Sequence, residues 1–181
     1  MRTLRFVLPV CGLVISGGLS SPSRGVLATL QGNNRSNVSA ASQALLRVEG
    51  EVPTPLRFTL AELAKLPRQQ VQAKGHDGKE SRYDGVAVHE ILSKAGLPQG
   101  KELRGKAVAL YLVVEAADGY RAVFALPEFD PAFTDRVILL ADHRDGQKLS
   151  GNEGPLQIIV PGDKRHSRWV RQVVALRIGR A

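Results

Sequence analysis

Between Gly154 and Ile178 the chain reads GPLQIIVPGDKRHSRWVRQVVALRI, and the loop inside it, Asp163 to Trp169, gathers groups that can do chemistry. Lys164, Arg165 and Arg168 are three cations, His166 an imidazole, Ser167 a hydroxyl, and Trp169 the only tryptophan. Lys and Arg side chains together with backbone N–H groups suit an anion such as phosphate. A solvated basic turn is the commoner origin of such a cluster. Here, however, it is held at both ends. Leu156 to Val160 is an apolar, β-branched run stopped by the Pro161-Gly162 turn, and Val170, Val173, Val174, Leu176 and Ile178 rebuild an apolar segment. One helical turn leading into a last strand that ends near Ile178 is expected. Loops on such a scaffold are where binding groups concentrate.

The four histidines have no metal-ligand spacing. His76 lies in a Gly-rich loop, His89 begins a helix, His143 is in a turn and His166 in the basic loop. His89-Glu90 lacks a second His four residues on, which excludes a zinc protease reading. No Gly-x-Ser-x-Gly elbow occurs, which sets hydrolysis aside. His76 and His166 are the better candidates for a ligand site.

Arg2 and Arg5 precede the apolar run Phe6 to Ile15, a run too short for a spanning helix of ~20 residues. With Val26-Leu27-Ala28 behind it, this is the pattern of a secretory signal over residues 1–28, cleaved near Ala28. Cys11 lies within that run and is the only cysteine, so the mature form has neither disulfide nor thiolate. The expected location is periplasmic or secreted. Residues 29–44 are polar and aperiodic and read as a flexible linker, leaving 45–181 as a single domain. The formal charge of +8 falls when Arg2, Arg5 and Arg24 leave, and with only 5% aromatic residues nucleic acid is not expected as a partner.

Elements to position the loop follow in order. Leu45 to Val52 reads as a strand, and Thr59-Leu60-Ala61-Glu62 is a capping box opening a short helix that Pro67 closes. Gln70 to Ala73 reads as a strand and Lys74 to Arg82 as a loop. Val88, Ile91, Leu92 and Ala95 form the stripe of an amphipathic helix ended by Gly96. Ala107 to Ala116 and Tyr120 to Ala125 flank an Asp118-Gly119 hairpin turn; Arg136 to Ala141 is a strand, and Asp145-Gly146 another turn. Several strands with two or three short helices between them argue a mixed, largely β, α+β domain.

These pieces, in this order, resemble the sulfite oxidase-type molybdopterin-binding fold, over roughly Phe58 to Ile178. Tyr83, Gly85, Val86, Ile91, Leu92, Ala95 and Gly96 look like its aromatic-x-Gly-Val segment and following helix, and Asp118-Gly119-Tyr120 is similar to its hairpin. Leu139-Leu140-Ala141, Asp145-Gly146, Gly154-Pro155-Leu156 and Val160-Pro161-Gly162 follow its strand and turn order. His166-Ser167-Arg168-Trp169-Val170 resembles its segment beside the pterin cofactor.

The resemblance implies a molybdenum-ligating cysteine upstream of the aromatic-x-Gly-Val segment, in the region Val71 to Gly75, at Ala73 in the register used here. No cysteine stands there, so no molybdenum is expected. What the resemblance then implies is an exported, cysteine-less, non-catalytic branch that binds a pterin or molybdopterin. It would act as a ligand sensor with the periplasmic domain of a membrane signalling protein. A molybdopterin-dependent oxidoreductase with altered metal ligation is the alternative. A pterin needs planes to stack on and polar groups at its rim. Trp169, Tyr83, Tyr120 and Arg168 are the expected planes and rim groups, His76 and His166 the expected ligand-site histidines, and Lys164, Arg165 and Ser167 hold a phosphate if the ligand bears one.

Overall fold

The computed structural model describes residues 45–181; the expected signal segment with Cys11 and the expected linker 29–44 lie outside the described residues. Ten strands form two sheets. The first comprises β1 (Leu46–Gly50), β2 (Leu56–Phe58), β5 (Leu110–Ala116), β6 (Arg121–Ala125) and β10 (Val173–Arg180), in the order β2-β1-β10-β5-β6. The second runs β3 (Arg68–Lys74), β4 (Glu80–Ala87), β7 (Leu139–Arg144), β8 (Gln147–Lys148), with β9 (Gln157–Ile159) also paired to β7. Among the described residues only β1 and β10 pair in parallel. The domain is thus a mixed, largely β, α+β fold.

Alternation explains the strands that carry it most clearly. Leu110, Leu112, Val114 and Ala116 of β5, with Ala122 and Phe124 of β6, are buried, and the residues between them face outward. Both sheets contribute to one continuous core, through Leu46, Val48, Leu176 and Ile178 on one side and Tyr83, Leu139, Leu140 and Ile158 on the other. Helix α1 (Leu60–Leu63) opens on its capping box: the Thr59 hydroxyl accepts from Glu62 N–H at 3.2 Å, and Glu62 Oε2 accepts from Thr59 N–H at 2.8 Å. Helix α2 (Val88–Lys94) buries Val88, Ile91 and Leu92, and Gly96 follows at φ +80°.

Three boundaries differ from expectation. Lys74 to Arg82 is not one loop: β3 runs to Lys74 and β4 starts at Glu80, Lys74 facing Glu80 in a hairpin whose tip is residues 75–79. Charged residues fit there because the outer positions of β3 are solvated. The third strand of the second sheet starts at Leu139 rather than Arg136 and extends through Asp142 and His143. Gly105–Ala109 is a 3₁₀ turn ahead of β5. Gly85 sits where β4 bulges against β7, and a Cβ there would lie inside the van der Waals shell of Leu140 O, so only glycine permits the pairing.

Candidate functional site

The β3–β4 hairpin and the loop ahead of β10 meet. His166, which opens the 3₁₀ turn His166–Arg168, has its Nε2 2.7 Å from the Lys74 carbonyl oxygen. A carbonyl only accepts, so Nε2 carries a proton, and Nδ1 is the nitrogen that accepts whenever the ring is neutral. The His76 ring lies beside it, centroids 4.5 Å apart and tilted by 44°. Trp169 stands edge-on to His166 at 4.5 Å and to Tyr83 at 5.7 Å.

Trp169 and Tyr83 belong to the core. Trp169 is 4% exposed, with its indole N–H donating to Val160 O at 3.1 Å, and Tyr83 is 2% exposed. This corrects the expectation that they are stacking planes: the apolar strand ends on either side pull the indole inward, and His76 and His166 take the outer positions. Arg144 holds the hairpin tip over Tyr83. Its Nε donates to Ser81 Oγ at 2.9 Å and a terminal nitrogen to Asp77 Oδ2 at 2.8 Å, its guanidinium 5.7 Å from the Tyr83 centroid. Burial pushes the Tyr83 hydroxyl pKa up, against the lowering effect of Arg144.

Arg168 is turned away from this cluster, contrary to its expected part as a ligand plane. It donates to both oxygens of Asp163 at 2.9 Å and to Glu128 Oε2 at 2.8 Å, its guanidinium 4.8 Å from the Phe124 centroid. Arg136 joins the same two carboxylates at 3.2 and 3.1 Å. Two carboxylates and two guanidiniums thus close a ring that fixes the base of the loop. Its hydrogen bonds to Asp163 raise the Arg168 pKa, against burial, and Glu128 raises it further. Lys164 and Arg165 are exposed, and among the described residues neither joins an ion pair.

Tyr120 is half exposed and donates its hydroxyl to Ser167 O at 2.6 Å. It walls a cavity of about 180 Å³ together with Asp118, His166, Ser167, Trp169 and Arg171. A larger depression, about 430 Å³, lies against Gln72, Ser81, Arg82 and Asp145 but has no aromatic wall. Arg171 was not among the expected site residues. Its place two positions after Trp169 in a basic run was the available signal. Partial burial lowers the pKa of His76, and the charges of Arg171 and His166 lower it further.

Ala73 is buried in β3 opposite Ser81, one residue before the carbonyl that His166 binds. Its methyl has no lone pair to give a metal, and no group of three His, Cys, Asp or Glu among the described residues is arranged to hold one. One imidazole, a phenol, a hydroxyl and a guanidinium around a small cavity that Asp118 also walls do fit a flat ring with a polar edge of donors and acceptors. The donor set fits the pterin part of a molybdenum cofactor and not the metal's first shell.

Comparison with known proteins bears on the fold. In the crystal structure of the sulfane dehydrogenase SoxCD from Paracoccus pantotrophus, one chain matches with a TM-score of 0.59 at 22% identity. The match covers 77% of this chain and 38% of that one, and it shows a shared fold. Among curated proteins none matches. The family model described as the oxidoreductase molybdopterin binding domain matches residues 34–179, most of the chain's length. With the fold in agreement, this chain belongs to the oxidoreductase molybdopterin-binding domain family.

Proposed function

We propose that this chain binds a pterin, free or as molybdopterin, without carrying out oxygen-atom transfer, and that it serves as an exported ligand sensor for the periplasmic domain of a membrane signalling protein. The observation that carries this reading is the His76–His166 pair, whose His166 walls the Tyr120–Arg171 cavity and binds the Lys74 carbonyl, one residue after the Ala73 methyl at the position where the family resemblance implies a thiolate. His166 Nδ1 accepts from the ring edge, Ser167 and Tyr120 complete the rim, and Arg171 faces negative charge. Lys164 and Arg165 engage a phosphate where the ligand has one. When bound, molybdopterin would supply a dithiolene and a phosphate.

The test is a titration of the purified protein with a reduced pterin, alongside elemental analysis after expression in a host that makes molybdopterin. Saturable binding of the pterin with no stoichiometric molybdenum is expected. One molybdenum per chain with sulfite or sulfoxide turnover would replace this reading with an oxidoreductase of altered ligation.

A further inference from the structure

A row of ion pairs crosses four strands on the outer face of the first sheet and stops at an edge. Arg177 of β10 reaches Glu49 of β1 at 3.0 Å and Glu115 of β5 at 2.8 Å, and Glu115 takes Arg121 of β6 at 3.2 Å. The signs alternate along the row. Strand β6 is last in the sheet order, so Arg121 ends the row with no acid on its far side, its side chain 61% exposed. Two residues on, Val123 is 58% exposed on the same face.

The backbone of β6 is open on that side too. Ala116 N–H donates to Tyr120 O at 2.9 Å, and in an antiparallel ladder hydrogen-bonded and non-bonded pairs alternate. Glu115 with Arg121, and Val113 with Val123, are therefore non-bonded pairs. The N–H and C=O groups of Arg121 and Val123 point away from β5, and among the described residues no strand takes them up. Such an edge is a template for one more strand.

We propose that β6 docks an extended segment of a partner protein as a sixth strand, with an acidic residue beside Arg121 and an apolar, β-branched residue beside Val123. Residues two apart share a face, so one segment reading acidic-x-apolar, or its reverse, meets both. The acid continues the alternating row, and opposite charges across a strand pair are favourable. Exposed Lys164 and Arg165 follow in the loop that Tyr120 ties to β6 through Ser167 O, and they favour the same sign of partner. The chain's own first 44 residues contain neither Asp nor Glu and cannot supply the acid. A second copy paired antiparallel about Val123 would set Ala125 beside Arg121 and leave the row open. The proposal stands on this row and edge, not on the pterin reading, and it supplies the contact that a sensor's partner would use.

The experiment records backbone amide NMR spectra of the chain with a synthetic peptide of sequence Thr-Val-Thr-Glu-Thr-Val-Thr, and with the same peptide carrying Lys for Glu. The Glu peptide is expected to shift the Arg121 and Val123 amides, with affinity falling about fivefold or more for the Lys peptide. Arg121→Glu should reverse that preference. Val123→Pro removes only an outward N–H, so the variant should fold, keep its pterin titration and lose the peptide. Unmoved β6 amides, equal response to both peptides, or undiminished binding by Val123→Pro overturns the proposal. So does a concentration-dependent dimer of the full chain that Val123→Pro abolishes.

Discussion

His166 hydrogen-bonds through Nε2 to the backbone carbonyl of Lys74, a contact between residues 92 positions apart that seats the C-terminal basic loop on the end of β3. Everything assigned to the site depends on this seating, because His76 and the position of Ala73 lie on the hairpin, and Ser167 and Arg171 on the loop. Replacing His166 by Ala should weaken pterin binding strongly. The stability cost should be only about 0.5–1.5 kcal/mol, the net worth of one hydrogen bond. Pterin titration and denaturant midpoints on the same samples check this, and a collapse of stability with unchanged affinity would count against the site.

Trp169 should behave in the opposite way. Cutting a buried, hydrogen-bonded indole to Ala leaves a cavity and leaves the Val160 carbonyl with only the Asp163 N–H, at 3.4 Å, at a cost of about 3–5 kcal/mol. Trp169→Phe keeps most of the volume and should retain pterin affinity close to wild type. Chemical denaturation of both variants, with binding measured on the Phe variant, separates a supporting wall from a contact surface.

His76 carries a sign that can be tested with pH. Its folded-state pKa is lowered by partial burial first, then by Arg171 and His166. The neutral ring therefore suits the folded state. Its contribution to stability is complete above the unfolded value of about 6.5 and is lost as pH falls through the lower folded value. NMR titration of the His76 ring should give a midpoint below 6.5, and Arg171→Ala should move it upward. A midpoint unchanged by Arg171→Ala would remove Arg171 from the neighbourhood drawn for it.

The Arg168, Asp163, Glu128 and Arg136 ring should prove structural. Arg168→Ala leaves two half-buried carboxylates with one guanidinium between them, and a loss of about 1–3 kcal/mol is expected, in line with charged hydrogen bonds elsewhere. Arg168→Lys should recover little, since an ammonium cannot bond both carboxylates in the guanidinium's planar geometry. Differential scanning calorimetry gives the stability, and pterin affinity, measured well below the melting temperature, should change much less.

Local signals in the chain were legible where the physics is local. The Thr59 and Glu62 side chains close their box over one helical turn. Asp118-Gly119 and Asp145-Gly146 carry the positive φ their turns need, at Gly119, Asp145 and Gly146, and Val88, Ile91 and Leu92 bury one helix face. Strand β3 reads as ending at Ala73, and the start of β4 reads as loop, because Lys74, Glu80 and Arg82 look like loop residues. Nothing in a local window tells that their side chains stand on a solvated sheet surface. Arg168 and Trp169 depart from expectation for a related reason. Their partners, Glu128 at 40 positions' distance and the interior beneath Tyr83, exist only once the chain has folded. Residue types pointed to His76, His166, Ser167 and Tyr120, which the fold does bring near one another. Which of them face outward was decided by the core.

The parallel pairing of β10 with β1, and its antiparallel pairing with β5, place the last strand of the chain in the middle of the first sheet. During synthesis, β1 and β2 therefore wait beside a gap that β5 and β6 cannot fill, and the sheet has no centre until Arg180 has emerged. The first sheet should therefore close only when β10 docks between β1 and β5, in a slow step set by long-range pairing.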